Sequence, residues 1–228
     1  MICMDVTTFT VQLTLDRKTA GTASQLRGFF ATKFQEYVLL HHHKPDGFVY
    51  QYPLIQYKML SGVPTVVGIN EGAEVLVEIF NEYDTLDLGS EKYRICEKQV
   101  SYKVEKVGWT ETPVYYRFLT PWVALNQENY MRYYGMQNSL ERSTFLGKTL
   151  VGNLLSFSKT IGYTVPDRLV CGVSVKPVKV SLKGVHLMGF SGSFRVNFEI
   201  PDLLGIGKSV SRGMGTVKRG DVSDAARH

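Results

Sequence analysis

Residues 5–15 (DVTTFTVQLTL) set Val6, Phe9, Val11, Leu13 and Leu15 against Thr and Gln, close to the two-residue period of a strand with one buried face. After the turn-like Asp16-Arg17-Lys18, Leu26, Phe29, Phe30 and Phe34 fall near helical spacing, which predicts a helix over 22–34 with Thr22 or Ser24 as N-cap. Leu39-Leu40 and the run His41-His42-His43-Lys44-Pro45-Asp46-Gly47 follow; Pro-Asp-Gly signals a turn into an aromatic strand, 48–52. The histidines are therefore expected on a loop between helix and strand. Two further strands, 54–60 and 63–69, flank the hairpin signal Ser61-Gly62. Ala73, Leu76, Val77 and Phe80 predict a helix over 71–83, and a strand over 93–107 completes the order βαββαβ, which is ferredoxin-like.

Residues 108–113 (GWTETP) read as a boundary, after which 114–125 restarts with strand residues. The stretch 126–160 is expected to be helical, interrupted at Gly135 and Gly147, and 169–180, 182–188 and 190–200 are expected strands. This divides the chain into 1–110, which carries the histidine loop, 111–219, again α+β, and a frayed tail at 220–228.

With 44% hydrophobic and 21% charged residues over 228 positions, disorder and fibrous repeats are excluded. No window approaches the ~18 apolar residues of a membrane span, and the opening Met1-Ile2-Cys3-Met4-Asp5 lacks a signal-peptide layout, so a cytoplasmic protein without a membrane partner is expected. Cys3, Cys96 and Cys171 form no CxxC pair and fit a reducing compartment. Charge is unevenly placed: 142–219 holds twelve Lys/Arg against Asp167, Glu199 and Asp202, whereas the whole chain carries only +5. Such asymmetry suits a polyanion or a solvated basic surface.

The glycine-rich segment 205–215 (GIGKSVSRGMG) is the most informative stretch. Its glycines allow close backbone approach to phosphate oxygens, and Lys208, Ser209 and Arg212 offer charge and hydrogen bonds. It is neither a Walker loop, since GxxxxGK[ST] is unsatisfied, nor GxGxxG; a ligand-free surface turn is the bland alternative. Three adjacent histidines are more often loop residues than metal ligands, because neighbouring positions rarely all converge on one ion. Tyr50, Tyr52 and Tyr57 are core packing or stacking platforms for bases.

The late G-I-G…G-M-G segment, with its interior Lys and Arg, resembles the signature of the RAMP superfamily of repeat-associated RNA-binding proteins. Leu26-Arg27-Gly28, Leu39 to His43, Tyr52 to Lys58 and Pro121 to Asn126, in that order, resemble the CRISPR-associated endoribonucleases that cut precursor repeat RNA. The resemblance spans residues 5 to about 219. It implies two tandem ferredoxin-like domains and metal-independent cleavage leaving a 2′,3′-cyclic phosphate and a 5′-hydroxyl, with no cofactor and no metal. The catalytic histidine and tyrosine that it implies fall on His43 and Tyr50, with His41 as a second candidate and the choice among His41, His42 and His43 open. RNA contacts are expected from Lys58, Arg142 and Lys148 and from Gly205, Gly207, Lys208, Ser209, Arg212, Gly213 and Gly215. The partner is a CRISPR repeat in a precursor transcript; a second copy of the chain and a CRISPR effector complex are the protein partners considered. The rival reading is a non-catalytic RAMP-type scaffold that binds guide RNA.

Overall fold

The computed structural model describes residues 3–41, 43–44, 47–48, 52–182 and 184–220. The chain divides into two compact units, Asp5–Glu105 with Val210–Gly213, and Met1–Met4 with Lys106–Ser209 and Met214–His228. In chain order the elements are β1 (Cys3–Leu15), α1 (Ala23–Lys33), α2 (Val38–His41), β2 (His43–Lys44), β3 (Gly47–Phe48), β4 (Ile55–Leu60), β5 (Val63–Ile69), α3 (Glu71–Ile79), β6 (Thr85–Leu88) and β7 (Glu91–Phe118). They continue with α4 (Gln127–Gly135), α5 (Ser139–Thr160), β8 (Cys171–Leu182), β9 (Val185–Glu199), a 3₁₀ turn (Val210–Arg212) and β10 (Val217–Arg219).

In the N-terminal unit the strand order β4-β5-β1-β7, with α1 and α3 as crossovers, is that of a ferredoxin-like fold. Thr22 caps α1 in a capping box: its hydroxyl accepts from the Gln25 amide, and Gln25 accepts from the Thr22 amide at 2.8 Å. Ser61 and Gly62 both have positive φ, 51° and 84°, and close the β4–β5 hairpin with the twist that two-residue turns require. Phe9, Val11 and Leu13 of β1 meet Leu26 and Phe30 of α1 in the core; the Phe30 ring lies 5.5 Å from Tyr57 and 5.1 Å from Tyr83. Tyr52 and Tyr57 are therefore buried packing residues rather than exposed platforms. Helix α3 stops at Ile79, short of the expected 83, and Tyr83 turns into the aromatic core.

The C-terminal unit repeats the order with β10-β7-β9-β8, α4 and α5 forming the first crossover. No second α-helix stands between β9 and β10; the glycine segment, with its 3₁₀ turn, takes its place. Three expected interruptions are absent. Strand β7 runs on through 108–113, because its register against β9 shifts between Trp109 and Val114, and the bulge accommodates Pro113. Strand β9 continues through Gly189, where a side chain would collide with Val180 and Pro121.

Helix α5 likewise passes uninterrupted through Gly147. A Cβ there would stand 2.9 Å from the Cys171 carbonyl oxygen, so this glycine serves the close approach of helix to strand. Gly152 in the same helix is exposed with nothing near its missing Cβ. Urea unfolding is expected to show Gly152→Ala stabilising by ~0.5–1 kcal/mol through helix propensity. Gly147→Ala is expected to destabilise by ~1–3 kcal/mol through overpacking.

Candidate functional site

The histidine run lies between two buried anchors, Leu40 at 1% exposure and Tyr52 at 7%. The expected loop has more structure than its sequence suggested: His41 closes α2, and His43 begins a small hairpin in which His43 pairs with Phe48 and Lys44 with Gly47. The short helix forms because buried Leu40 docks it on the core, a contact that local turn signals do not report. His42 and Tyr50 lie outside the described residues, and for His41 and His43 the description is of the backbone.

The glycine segment is held by its own backbone. Ile206 N–H donates to the Gly215 carbonyl at 2.8 Å, Gly215 N–H to Pro121 at 2.8 Å, and Lys208 N–H to Val123 at 2.9 Å. Gly205 bridges Thr216, and Leu204, Ile206 and Val210 are buried. Gly207, at φ 99°, lies against the Trp122 indole, 2.6 Å from where a Cβ would stand. Gly215, at φ 65°, leaves no room between its own backbone and the Ile206 carbonyl. These two glycines are demanded by packing and by a left-handed backbone.

The amides of Gly213 and Gly215 are directed at Val210 and Pro121. Of the side chains in the segment, Lys208 is exposed, and Ser209 and Arg212 are half-buried.

Residues 210–213 belong to the N-terminal unit, where the 3₁₀ turn packs on α1 and β4. A Cβ on Gly213 would lie 2.8 Å from that of Ala23 and 3.6 Å from Lys58 Cα. This packing sets Arg212 beside Arg27 of α1, whose guanidinium pKa is lowered by burial and then by the Arg212 charge. Arg27 was legible only as part of a motif; its pairing with a residue 185 positions later carries no local signal.

Two other expected RNA contacts are Lys58 and Arg142. Lys58 is a correction, since it is fully buried. Alternation along β4 sends Ile55 and Tyr57 into the core and Gln56 and Lys58 to the opposite sheet face, where Lys58 neighbours Thr65 and Thr65 neighbours Gln12. Lys58 Nζ donates to Gln56 Oε1 at 3.0 Å, and burial lowers its pKa from 10.5 to about 7. Arg142 on α5 is committed locally, its guanidinium donating to the Met136 carbonyl at 3.0 Å and lying over the Tyr133 ring. Lys148 is exposed on the same helix. Among the described residues no three His, Cys, Asp or Glu side chains gather as metal ligands, and no helix is long and apolar enough to cross a membrane.

The class this architecture defines is a tandem of two ferredoxin-like units, with a short helix and strand pair between α1 and β4 and a glycine segment between β9 and β10. Residues 4–106 match the family model of the Cas6b N-terminal domain, and 108–220 that of the Cas6b C-terminal domain. The chain belongs to the Cas6b family. A crystal structure of a Cas6b superposes with a TM-score of 0.86 at 35% identity, covering 95% of this chain and 100% of that one. Another, of a CRISPR RNA processing endoribonuclease Cas6b, gives 0.74 at 32% identity with the same coverage. An uncharacterized protein of Methanocaldococcus jannaschii, MJ0978, is 41% identical over 143 residues, 62% of this chain and 97% of its own length.

The buried amine makes a testable statement about stability. Between about pH 7 and 10.5 the unfolded chain carries a proton on Lys58 that the folded chain has released. The Lys58 contribution to folding stability thus rises with pH through this window and is least favourable below it. Lys58→Met is expected to be more stable than wild type at pH 6 by a few kcal/mol, with the gap closing toward pH 10, measured as the difference between denaturation midpoints.

Proposed function

We propose that this protein is an endoribonuclease that binds CRISPR repeat RNA and cleaves the precursor transcript without a metal ion, leaving a 2′,3′-cyclic phosphate and a 5′-hydroxyl. The observation that carries the reading is membership of both halves in the Cas6b family, together with 32% identity to a protein described as a CRISPR RNA processing endoribonuclease. In the proposed reaction a base takes the proton of the 2′-hydroxyl as its oxygen bonds to the adjacent phosphorus. The bond from phosphorus to the 5′-oxygen breaks, and an acid protonates that oxygen. Histidine can serve as base or acid near neutral pH. His43 is assigned one of these roles, His41 is the alternate, and Tyr50 orients the phosphate or donates to it.

Lys208, Ser209 and Arg212 are proposed to hold the RNA backbone, with Lys148 as a further contact. Gly205, Gly207, Gly213 and Gly215 shape the segment that presents them. Protein partners on this reading are a second copy of the chain or a CRISPR effector complex.

Labelled repeat RNA incubated with the protein in excess EDTA is expected to be cut, and a 2′-deoxy substitution at the scissile position is expected to abolish cutting. Changing His41, His42 and His43 together to alanine should remove cleavage while binding persists. RNA that is bound and never cut by the wild type would instead identify a non-catalytic scaffold. Lys208→Ala and Arg212→Ala should each reduce the slope of log affinity against log salt by about one, and a flat salt response in the wild type would sink RNA binding itself.

A further inference from the structure

Helix α4 carries three tyrosines, two of which face outward. Tyr133 is buried and meets the Phe190 ring edge-on at 5.4 Å, which ties the helix to the core of the C-terminal unit. Tyr130 and Tyr134, four residues apart and so on one helix face, are 40% and 51% exposed. Their ring centroids lie 4.7 Å apart, and the Tyr134 hydroxyl donates to Met188 Sδ of β9 at 3.3 Å. The Tyr134 ring is thus held in place while both residues keep exposed surface. They form one wall of a groove of about 800 Å³, and Lys179 of β8 with His186 of β9 stands in the other, both exposed. Lys179 pairs with Met188 across the hairpin, and His186 with Ser181, so both lie on the strands that the tyrosines approach.

An apolar groove with a few polar groups is the composition of a ligand site. Two chemistries compete for it, a protein side chain and an unpaired nucleobase. Protein interfaces deplete lysine from their centres, whereas single-stranded RNA is held by open aromatic faces with cations on the adjoining phosphates. The surrounding segment 142–219 is also strongly basic, twelve Lys/Arg against three acidic residues, which suits an anionic polymer. We propose that the groove between α4 and the β8–β9 hairpin takes an unpaired base of the repeat RNA, stacked on Tyr134 beside Tyr130, with Lys179 on the neighbouring phosphate. The inference rests on the RNA-binding reading given above and adds to it a contact outside the histidine and glycine segments.

The test is fluorescence anisotropy of labelled single-stranded repeat RNA with the full chain across a salt series. Changing Tyr130 and Tyr134 together to alanine is expected to weaken binding about tenfold or more, with the salt slope unchanged, because stacking releases no counterions. The double Tyr→Phe variant should bind within about twofold of wild type, since the ring face and not the hydroxyl makes the contact. Lys179→Ala should lower the slope by about one. Unchanged affinity in the double alanine variant, while Lys208→Ala still weakens binding, overturns this inference and leaves the RNA-binding reading standing. A wild type that binds no RNA overturns both. If the double alanine variant fails to fold, Tyr134→Trp decides: added RNA should quench its extra emission, and no quenching rejects the site. Loss of a dimer on sedimentation with unchanged RNA affinity would assign the face to a second copy of the chain and reject it as well.

Discussion

Trp122 is the residue on which the C-terminal unit turns. Its indole has no exposed surface, stacks on Phe118 at 5.5 Å with the rings 5° from parallel, and donates through Nε1 to Asn153 Oδ1 at 3.1 Å. Its backbone exchanges both hydrogen bonds with Phe190 at 2.8 Å. One side chain thus joins β7, β9 and α5, and the surface it leaves is where the glycine segment runs. Position 207 has to be glycine because the indole occupies the volume a Cβ would need. The course of the segment, and with it the placement of Lys208, follows from the packing of a tryptophan more than eighty residues earlier.

The N-terminal unit places its polar groups differently. One face of its sheet is aromatic and aliphatic, and the other carries Gln12, Thr65, Lys58 and Gln56, the last three fully buried. A buried ammonium is expensive unless it is paired or neutral. The lowered pKa of Lys58 and its bond to Gln56 are the two ways this structure reduces that penalty. The half-buried pair Arg27 and Arg212 shows the same tension, with two like charges brought together by the packing of a 3₁₀ turn against a helix. In both places a basic side chain is kept against the simple demands of stability.

Much of the architecture could be read along the chain because it is local. The alternation in β1, the Thr22 cap, the Ser61-Gly62 turn and the helical spacing after Glu71 each depend on residues within a few positions of one another. Three of the errors share one cause. Gly147, Gly189 and the 108–113 stretch looked like breaks, since glycine and proline usually punctuate local structure. In fact the first two admit a neighbouring element at close range, and the third sits in a bulge. The histidine run was legible as a candidate through its place in an ordered set of motifs, although nothing local told a free loop from a helix end followed by a hairpin.

The amino-acid sequence by itself determined the order and kind of the longer elements, several of the caps and turns that bound them, and the family to which their ordered motifs belong. All of these are set by spacing along one chain. Tertiary structure decided which glycines are turns and which are contacts, that Lys58 faces inward while Lys208 faces out, and that Arg27 meets Arg212. Burial and charge proximity depend on residues distant in sequence, and whether a side chain meets solvent, a backbone carbonyl or another cation is settled only when the strands pair and the helices dock.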